Sequence, residues 1–177
     1  DVCFIAEDSG ARFVFAEDPF QVAKLLEQRN RLPNVEKVIY FSEHGERDTP
    51  DHLGRTRLDL DTIAPNRADG WLLSIDQLVA QGASIDEDSL EQRRTQVVPG
   101  QPCTFVYTSG TTGKPKGVIL THEAFVFEVS AVIDALDLRD DDTMVLFLPL
   151  AHIFAKLVYF VCLRRGIEMI FPTSIAT

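Results

Sequence analysis

The segment from Tyr107 to Gly117, YTSGTTGKPKG, combines glycines, hydroxyl side chains and two lysines, and it follows an apolar run, Phe105-Val106-Tyr107. Glycine allows a close approach of the backbone to a ligand and tolerates positive φ, and consecutive backbone N–H groups form concavities that bind anions. Ser and Thr hydroxyls donate hydrogen bonds to phosphate oxygens, and lysine adds positive charge. The segment therefore predicts a polyphosphate-binding loop. The alternative is a glycine-rich surface turn that binds nothing, but it leaves the contiguity of these residues unexplained.

The spacing of the glycines excludes two common phosphate-binding loops. In nucleoside triphosphatases four residues separate the first glycine from Gly-Lys-Ser/Thr, whereas here only two residues separate Gly110 from Gly113, and Pro115 follows Lys114. The dinucleotide pattern Gly-x-Gly-x-x-Gly is also absent. Because proline fixes φ and lacks an N–H donor, the loop is not expected to run directly into a helix. The residues 117–120 (GVIL) predict a short strand, which gives the order strand, loop, strand.

This arrangement resembles the adenylate-forming superfamily of acyl-CoA synthetases, luciferases and adenylation domains of peptide synthetases. The superfamily hallmark is an apolar strand, then Thr-Ser-Gly-Thr-Thr-Gly, then Pro-Lys-Gly, and it is complete from Phe105 to Gly117. A second segment, LPLAHIF at 148–154, resembles the Leu-Pro-Leu-x-His segment of long-chain fatty acyl-CoA synthetases. A weaker resemblance in arrangement extends upstream through residues 70–74, so the likeness touches most of the chain.

The resemblance implies a two-step reaction. A carboxylate attacks the α-phosphate of ATP to give an acyl-adenylate and pyrophosphate, and the acyl group then passes to a thiol. The implied activity is ATP-dependent activation of a long-chain fatty acid, with Mg²⁺ as cofactor and coenzyme A as co-substrate and acyl acceptor. Two alternatives stay open: another adenylate-forming ligase that activates an aryl or amino acid, and a non-catalytic nucleotide-binding module.

The resemblance also implies roles for individual residues. The loop is expected to hold the β- and γ-phosphates of ATP through Thr108, Ser109, Gly110, Thr111, Thr112, Gly113, Lys114 and Lys116. Thr111 is the candidate for a hydroxyl near Mg²⁺, and Lys116 and His152 are the candidate catalytic residues. Lys116 occupies the family's Pro-Lys-Gly position, whereas Lys114 can equally be solvated. His152 is expected near the acyl and adenylate pockets; the alternatives are that it caps the following helix or packs in the core.

Bulk properties limit the partners and the compartment. The chain has 17 Lys and Arg against 27 Asp and Glu, a net charge of −10 that argues against nucleic acid as a partner. The three cysteines have no metal-site or disulfide spacing, which favours a reducing, cytoplasmic environment. The longest apolar run, 153–163, is interrupted by Lys156 and is too short to span a bilayer. A fatty substrate is compatible with peripheral membrane contact, although no basic amphipathic helix is present, and nothing indicates an oligomeric state.

Strands that alternate with helices predict an α/β protein with a largely parallel sheet layered with helices. We divide the chain into a βαβ-type unit at 1–41, a polar loop with short helices at 42–100, and the phosphate-loop unit at 101–177. The first unit is predicted to have a strand at Phe13–Ala16 that is buried on both faces, a helix capped by Asp18, Pro19 and Gln21, and a strand at Lys37–Phe41.

The remaining elements follow from caps and apolar periodicity. We predict a loop at 42–69, a short strand at 71–73, a helix at 74–81 with Ser74 and Gln77 as a capping box and Gly82 as its end, and a helix at 86–96. After the phosphate loop we predict a helix capped by Thr121, a strand at 144–148, a helix at about 151–164 and a strand at 167–171.

The ends of the chain suggest an excised fragment, because Asp1 directly precedes a helical pattern at 2–6. We expect a piece of the large N-terminal domain of an adenylate-forming enzyme, without its C-terminal domain. The family's downstream Tyr-Gly-x-Thr-Glu segment, its ribose-binding Asp and its C-terminal lysine are absent from the sequence. We therefore expect the isolated fragment to be inactive.

Overall fold

The computed structural model describes residues 2–46, 51, 53–108, 113 and 115–172. The chain divides into two compact units, Asp1–Gln92 and Arg93–Thr177. The first unit contains helices α1 (Val2–Ser9), α2 (Pro19–Glu27), α3 (Leu60–Ile63) and α4 (Ile75–Gly82), and strands β1 (Phe13–Ala16), β2 (Lys37–Tyr40), β3 (His44–Glu46), β4 (Arg57–Asp59) and β5 (Leu72–Ser74). A fifth helix, α5 (Glu87–Thr95), includes the residues at which the two units join in sequence.

A parallel sheet with the strand order β1-β2-β5 organises the first unit. The predicted helix cap that follows β1 is present, since the Asp18 carboxylate accepts the backbone N–H of Gln21 at 2.9 Å and Pro19 is the first helical residue. The capping box of α4 is also present, because Ser74 and Gln77 exchange side-chain-to-backbone hydrogen bonds. The helix ends at Gly82, one residue later than predicted, and Ala83 is its C-cap. Local polar signals thus determine where α2 and α4 begin.

The core of the first unit lies against one face of β1 and against the indole of Trp71. The indole N–H donates to the carbonyl of Val35 at 3.0 Å, and the guanidinium of Arg29 lies 4.6 Å from the ring centroid. The bond to Val35 satisfies the one polar atom of a large buried side chain. The buried residues packed around it are Cys3, Ala6, Ala16, Val22, Leu25, Leu32, Val35, Val38, Tyr40, Leu60, Ala64 and Leu72.

The prediction that β1 is buried on both faces is wrong. Phe13 and Phe15 are 51% and 57% exposed, whereas Ala16 is buried and Val14 packs against the core. Side chains alternate between the two faces of a strand, and β1 is an edge strand whose second face is not covered by the described residues. A continuous apolar run shows that a strand is hydrophobic on both sides, but it does not show what covers each side.

The predicted loop at 42–69 is also wrong in part, because these residues include an antiparallel pair, β3 and β4, and the short helix α3. Each of the two strands has three residues, of which only the central one, Gly45 or Leu58, is buried. Leu58 packs with Phe20 and Ala23 of α2. Strands this short carry no readable alternation, so tertiary packing rather than local pattern determines them.

The second unit contains strands β6 (Pro102–Thr108), β7 (Lys116–Thr121), β8 (Thr143–Val145) and β9 (Glu168–Ile170), and helices α6 (His122–Ala135) and α7 (Ile153–Arg165). Strands β8 and β9 are parallel, whereas β6 and β7 are antiparallel. The rings of Phe125 and Phe160 meet edge to face at 5.3 Å and join α6 to α7. The α/β class with parallel strands is therefore confirmed, together with two antiparallel pairs that the sequence analysis had not predicted.

Two boundaries in the second unit differ from their predictions. Strand β8 ends at Val145 rather than at residue 148, although the N–H of Leu146 still donates to the carbonyl of Ile170. Helix α7 begins at Ile153, and its last residue, Arg165, is followed by the C-cap Gly166, whose φ is +74°. Among the described residues, no helix is both long enough and apolar enough to cross a membrane.

The β3–β4 hairpin carries a pH-dependent contact. His44 and Asp59 are opposite each other in the ladder, and Nδ1 of His44 lies 2.7 Å from a carboxylate oxygen of Asp59. The hydrogen bond and the negative charge of Asp59 raise the pKa of His44 above 6.5. Because the pKa is raised in the folded state, this contact stabilises the fold below about pH 6.5, and its contribution is lost as pH rises through the folded pKa.

We predict that NMR titration will give His44 a midpoint above 6.5, and that Asp59→Asn will lower this midpoint towards the ordinary value of a histidine. Asp76→Asn on α4 is the control, because Asp76 is not among the groups that shift His44. An unchanged midpoint in Asp59→Asn would contradict the assignment.

Candidate phosphate site

The ends of the candidate phosphate loop are fixed by the ladder between β6 and β7. The last pair of this ladder joins Thr108 to Lys116, the residues that flank positions 109–115. Residues directly opposite each other in an antiparallel pair have Cβ atoms about 4.5–5.5 Å apart and project from the same face. The hydroxyl of Thr108 and the ammonium of Lys116 therefore leave the hairpin side by side, and both residues are exposed.

Among residues 109–114, Gly113 is the one that the structure describes. Gly113 has φ +88°, in the left-handed region that glycine adopts without the steric cost of a Cβ. Ser109, Gly110, Thr111, Thr112 and Lys114, which the sequence also predicts as phosphate-binding residues, lie outside the described residues. Their roles therefore remain predictions.

A close contact between the strands supports the hairpin next to the loop. Tyr107 is opposite Gly117 in the ladder, and a Cβ built on Gly117 would lie 3.1 Å from two carbon atoms of the Tyr107 ring. The missing side chain at 117 thus leaves space for the tyrosine ring. Packing against Tyr107 therefore favours glycine at position 117 of Pro-Lys-Gly, independently of phosphate binding. The sequence contains both residues, but the contact depends on the strand register, which local patterns do not determine.

His152 adopts the capping role that the sequence analysis left as an alternative. It is the N-cap of α7, and its Nδ1 accepts the backbone N–H of Phe154 at 3.3 Å. His152 is exposed, which excludes the alternative of a core histidine. Among the described residues, no hydrogen bond joins His152 to Thr108 or Lys116. Its predicted catalytic role is therefore not tested by the structure.

The segment that contains His152 also borders an apolar cavity. The cavity has a volume of about 340 Å³ and lies between the C-terminal part of α6, strand β8 with the residues after it, and α7. Ligand pockets typically have volumes of roughly 300–1,000 Å³. All of the lining residues are apolar: Val132, Leu136, Leu138, Met144, Val145, Leu146, Phe147, Leu148, Phe154, Ala155, Leu157, Val158 and Val161. Such a cavity suits a hydrocarbon and offers no side-chain partner to a polar group.

A polar link that the sequence analysis did not predict joins α7 to the strand before the loop. Nζ of Lys156 donates a hydrogen bond of 2.8 Å to Oγ1 of Thr104. In the sequence, Lys156 was recognisable only as the residue that interrupts an apolar run. Its partner lies 52 residues away in the chain, so no local signal identifies the pair.

The described side chains at the end of the hairpin, those of Thr108 and Lys116, are of types that suit phosphate oxygens. A hydroxyl and an ammonium suit phosphate oxygens. No group of three or more His, Cys, Asp or Glu side chains that could hold a metal ion is found among the residues that the structure describes.

Comparison with known proteins identifies the family of this chain. The model of the AMP-binding enzyme family matches residues 1–177, and the chain belongs to that family. The resemblance to adenylate-forming enzymes that the loop and the Leu-Pro-Leu-x-His segment indicated is therefore confirmed. The family uses ATP.

Curated relatives include long-chain-fatty-acid–CoA ligases. ACSBG2 of Xenopus laevis is 29% identical over 159 residues, which are 88% of this chain and 19% of the relative. FadD15 of Mycobacterium tuberculosis is 27% identical over 176 residues, 98% of this chain and 25% of the relative. The peroxisomal acyl-CoA ligase 891 of Penicillium brevicompactum is 33% identical over 138 residues, 77% of this chain and 18% of the relative. The chain thus spans about a fifth to a quarter of these relatives.

Solved structures show the same fold. The A-PCP didomain of the carboxylic acid reductase from Segniliparus rugosus, in complex with AMP, matches with a TM-score of 0.66 and 18% identity over 95% of this chain and 23% of that chain. A red-emitting luciferase from Phrixothrix hirtus matches with a TM-score of 0.62 and 14% identity over 98% of this chain and 30% of that chain. At these identities the likeness establishes the fold alone.

The contact between Tyr107 and Gly117 generates a prediction. In Gly117→Ala the new methyl group meets the Tyr107 ring, and such overpacking typically destabilises a protein by about 1–3 kcal/mol. We expect a lower thermal midpoint and weaker ATP binding by calorimetry. Gly100→Ala is the matched control, because nothing lies within 4 Å of its added Cβ. Equal effects of the two substitutions would show that the ring contact is unimportant.

Proposed function

We propose that this chain forms the pyrophosphate-binding part of a ligase that activates a long-chain fatty acid with ATP and transfers it to coenzyme A. The observation that carries the proposal is the Thr108–Lys116 pair at the end of a hairpin whose connecting residues 109–115 are SGTTGKP. The relatives that are named long-chain-fatty-acid–CoA ligases support the substrate class.

The site performs its part by binding the leaving group. When the fatty carboxylate attacks the α-phosphate, negative charge develops on the β- and γ-phosphates, which leave as pyrophosphate. Preorganised donors that stabilise this charge lower the barrier, because they interact more strongly with the transition state than with ATP. Lys116 supplies a positive charge, and Thr108 and the loop N–H groups supply hydrogen bonds.

The proposed magnesium ion would be held by phosphate oxygens and by the hydroxyl of Thr111, and it would neutralise charge on the bridging oxygens. The described residues are compatible with this arrangement, since they include no competing cluster of metal ligands. The remaining loop residues, Ser109, Gly110, Thr112, Gly113 and Lys114, complete the proposed phosphate contacts.

The apolar cavity supports a fatty acid over an amino acid. Leu148 and Phe154, the two ends of the LPLAHIF segment, both line it. An amino acid would place an ammonium in this region, and burial of an unpaired charge is unfavourable. We propose that the cavity receives part of the acyl chain, with His152 at the start of α7 near the adenylate.

We further propose that the protein acts in the cytoplasm, in peripheral contact with membranes that supply its substrate. The three cysteines are free, which suits a reducing compartment.

Substrate profiling of the full-length protein that carries this chain tests the proposal. We expect pyrophosphate release with palmitate, ATP and Mg²⁺, acyl-CoA formation when coenzyme A is added, and much lower rates with benzoate or amino acids. We expect no turnover by residues 1–177 alone, because the family's ribose-binding Asp and C-terminal lysine are absent from the sequence. Activation of amino acids but not of palmitate would favour the alternative ligase, and ATP binding without turnover would favour a nucleotide-binding module.

Substitutions in the loop test the assigned roles. In the full-length protein we expect Lys116→Ala and Thr111→Ala each to lower kcat for adenylation by about 100-fold, the typical effect of removing one donor to a developing negative charge. Lys24→Ala on an exposed part of α2 is the control for loss of a lysine. If both loop variants retain the kinetics of the wild type, the assigned roles are wrong.

A further inference from the structure

Helix α7 is apolar from Ile153 to Leu163 except for Lys156, which is the one charged residue in that stretch. Its side chain is half-buried, and its neighbour Ala155 is fully buried. Nζ of Lys156 donates to Oγ1 of Thr104 at 2.8 Å. Among the described residues, no carboxylate forms an ion pair with Lys156. The ammonium is thus held by a neutral hydroxyl rather than by an opposite charge.

Stability alone does not explain a lysine at this position. Partial burial removes water from the ammonium, and one bond to a neutral hydroxyl occupies only one of its three donor hydrogens. An unbranched apolar side chain of similar length, such as methionine, would fill the same space without this loss of hydration. What the lysine adds is a directional contact between α7 and β6.

The two ends of this contact lie on the two elements that carry the candidate functional segments. Every second residue of a strand faces the same side, so the side chains of Thr104, Val106 and Thr108 lie on one face of β6. Thr108 follows Thr104 by four residues, which is about 13 Å along the strand. On α7, the N–H of Lys156 donates to the carbonyl of His152, so Lys156 lies one turn after the helix start. The contact therefore connects the strand that enters the phosphate loop with the helix that begins at His152.

A second observation shows that the same face of the hairpin packs against the helices. Leu120 lies opposite Thr104 in the ladder and lines a cavity together with Ile153 and Leu157 of α7 and residues of α6. The packing on this face is mostly apolar, with Glu128 as the one charged lining residue, and it is incomplete, because the cavity has a volume of about 280 Å³. Apolar contact is not directional, whereas the hydrogen bond from Lys156 to Thr104 is directional and adds a specific contact between α7 and β6.

We propose that Lys156 is a positioning residue for the adenylation reaction, which it serves by fixing β6 against α7 through Thr104. This inference rests on the proposed function. Lys156 does not contact the phosphates; it determines where Thr108 and Lys116 lie relative to the segment at His152. A displacement of about 1 Å is enough to lower a rate about 100-fold, so a single contact of this kind affects the rate of reaction without forming part of the site.

A double-mutant cycle in the full-length protein tests the proposal. Lys156→Met removes the ammonium, Thr104→Val removes the hydroxyl at nearly constant shape, and the third variant combines them. We expect each single variant to lower kcat for pyrophosphate release by about tenfold or more with little change in KM for palmitate, because orientation rather than acid binding is impaired. We expect the double variant to be no worse than either single variant, since both remove the same contact.

Two further variants separate positioning from general packing. Thr104→Ser keeps the hydroxyl, and we expect it to restore kcat to within about threefold of the wild type, as the conservative replacement of a hydrogen-bond partner should. Lys24→Met on α2 is the matched control for replacing a lysine by methionine and is expected to have wild-type kinetics. Thermal unfolding of all variants shows whether lost activity reflects lost structure.

Additive effects in the cycle, or a Thr104→Ser variant as impaired as Thr104→Val, would overturn the proposal. Loss of activity that parallels loss of thermal stability would do the same. Affinity for ATP in the absence of an acid provides a readout that is independent of the substrate, and we expect it to show the same non-additivity. If the wild type binds ATP but does not activate palmitate, the fatty-acid assignment fails while the ATP cycle still decides the role of Lys156. If it does not bind ATP, both proposals are wrong.

Discussion

The antiparallel register that places Thr108 opposite Lys116 is the constraint on which the candidate site depends. A shift of one residue in either strand would send one of these side chains to the opposite face of the hairpin, because side chains alternate with a period of two. Pro115 has no N–H to donate, and the ladder begins at the next residue. The ring of Tyr107 packs against Gly117 and supports the adjacent pair of Thr108 and Lys116. The position of the phosphate-binding groups is thus a property of the strand pairing as well as of the loop.

A two-stranded hairpin is at best marginally stable in water, so this register needs support from other elements. Helix α6 begins directly after β7, and the Thr121 hydroxyl accepts the N–H of Ala124 at 3.2 Å. The contact of Phe125 with Phe160 then joins α6 to α7. The hairpin is thus followed directly by α6, α6 packs against α7, and α7 returns to the hairpin through the hydrogen bond from Lys156 to Thr104. Apolar packing stabilises this arrangement, and the polar contacts set the position of β6 against α7.

The sequence predicts features that are local and fails where long-range packing decides. Asp18 and Ser74 were correctly predicted as helix caps because a cap needs only residues within one turn. The exposure of Phe13 depends on what lies against the second face of an edge strand, and β3 and β4 are too short to show a period. The loop residues were recognisable from composition, whereas the contact between Lys156 and Thr104 was not, because the fold alone brings these two residues together.

The capping role of His152 and its predicted role in the reaction do not exclude each other. Because Nδ1 accepts the N–H of Phe154, the neutral imidazole carries its proton on Nε2. Among the described residues, Nε2 has no hydrogen-bond partner. The cap therefore fixes both the tautomer and the ring orientation, and it leaves an N–H donor of the kind that a carboxylate or phosphate oxygen accepts. A histidine that only capped the helix could be replaced by Ser, Thr, Asp or Asn, which are the preferred N-caps. Of these, Asp has no donor to offer, whereas histidine caps through Nδ1 and presents the Nε2–H donor on the other side of a rigid ring.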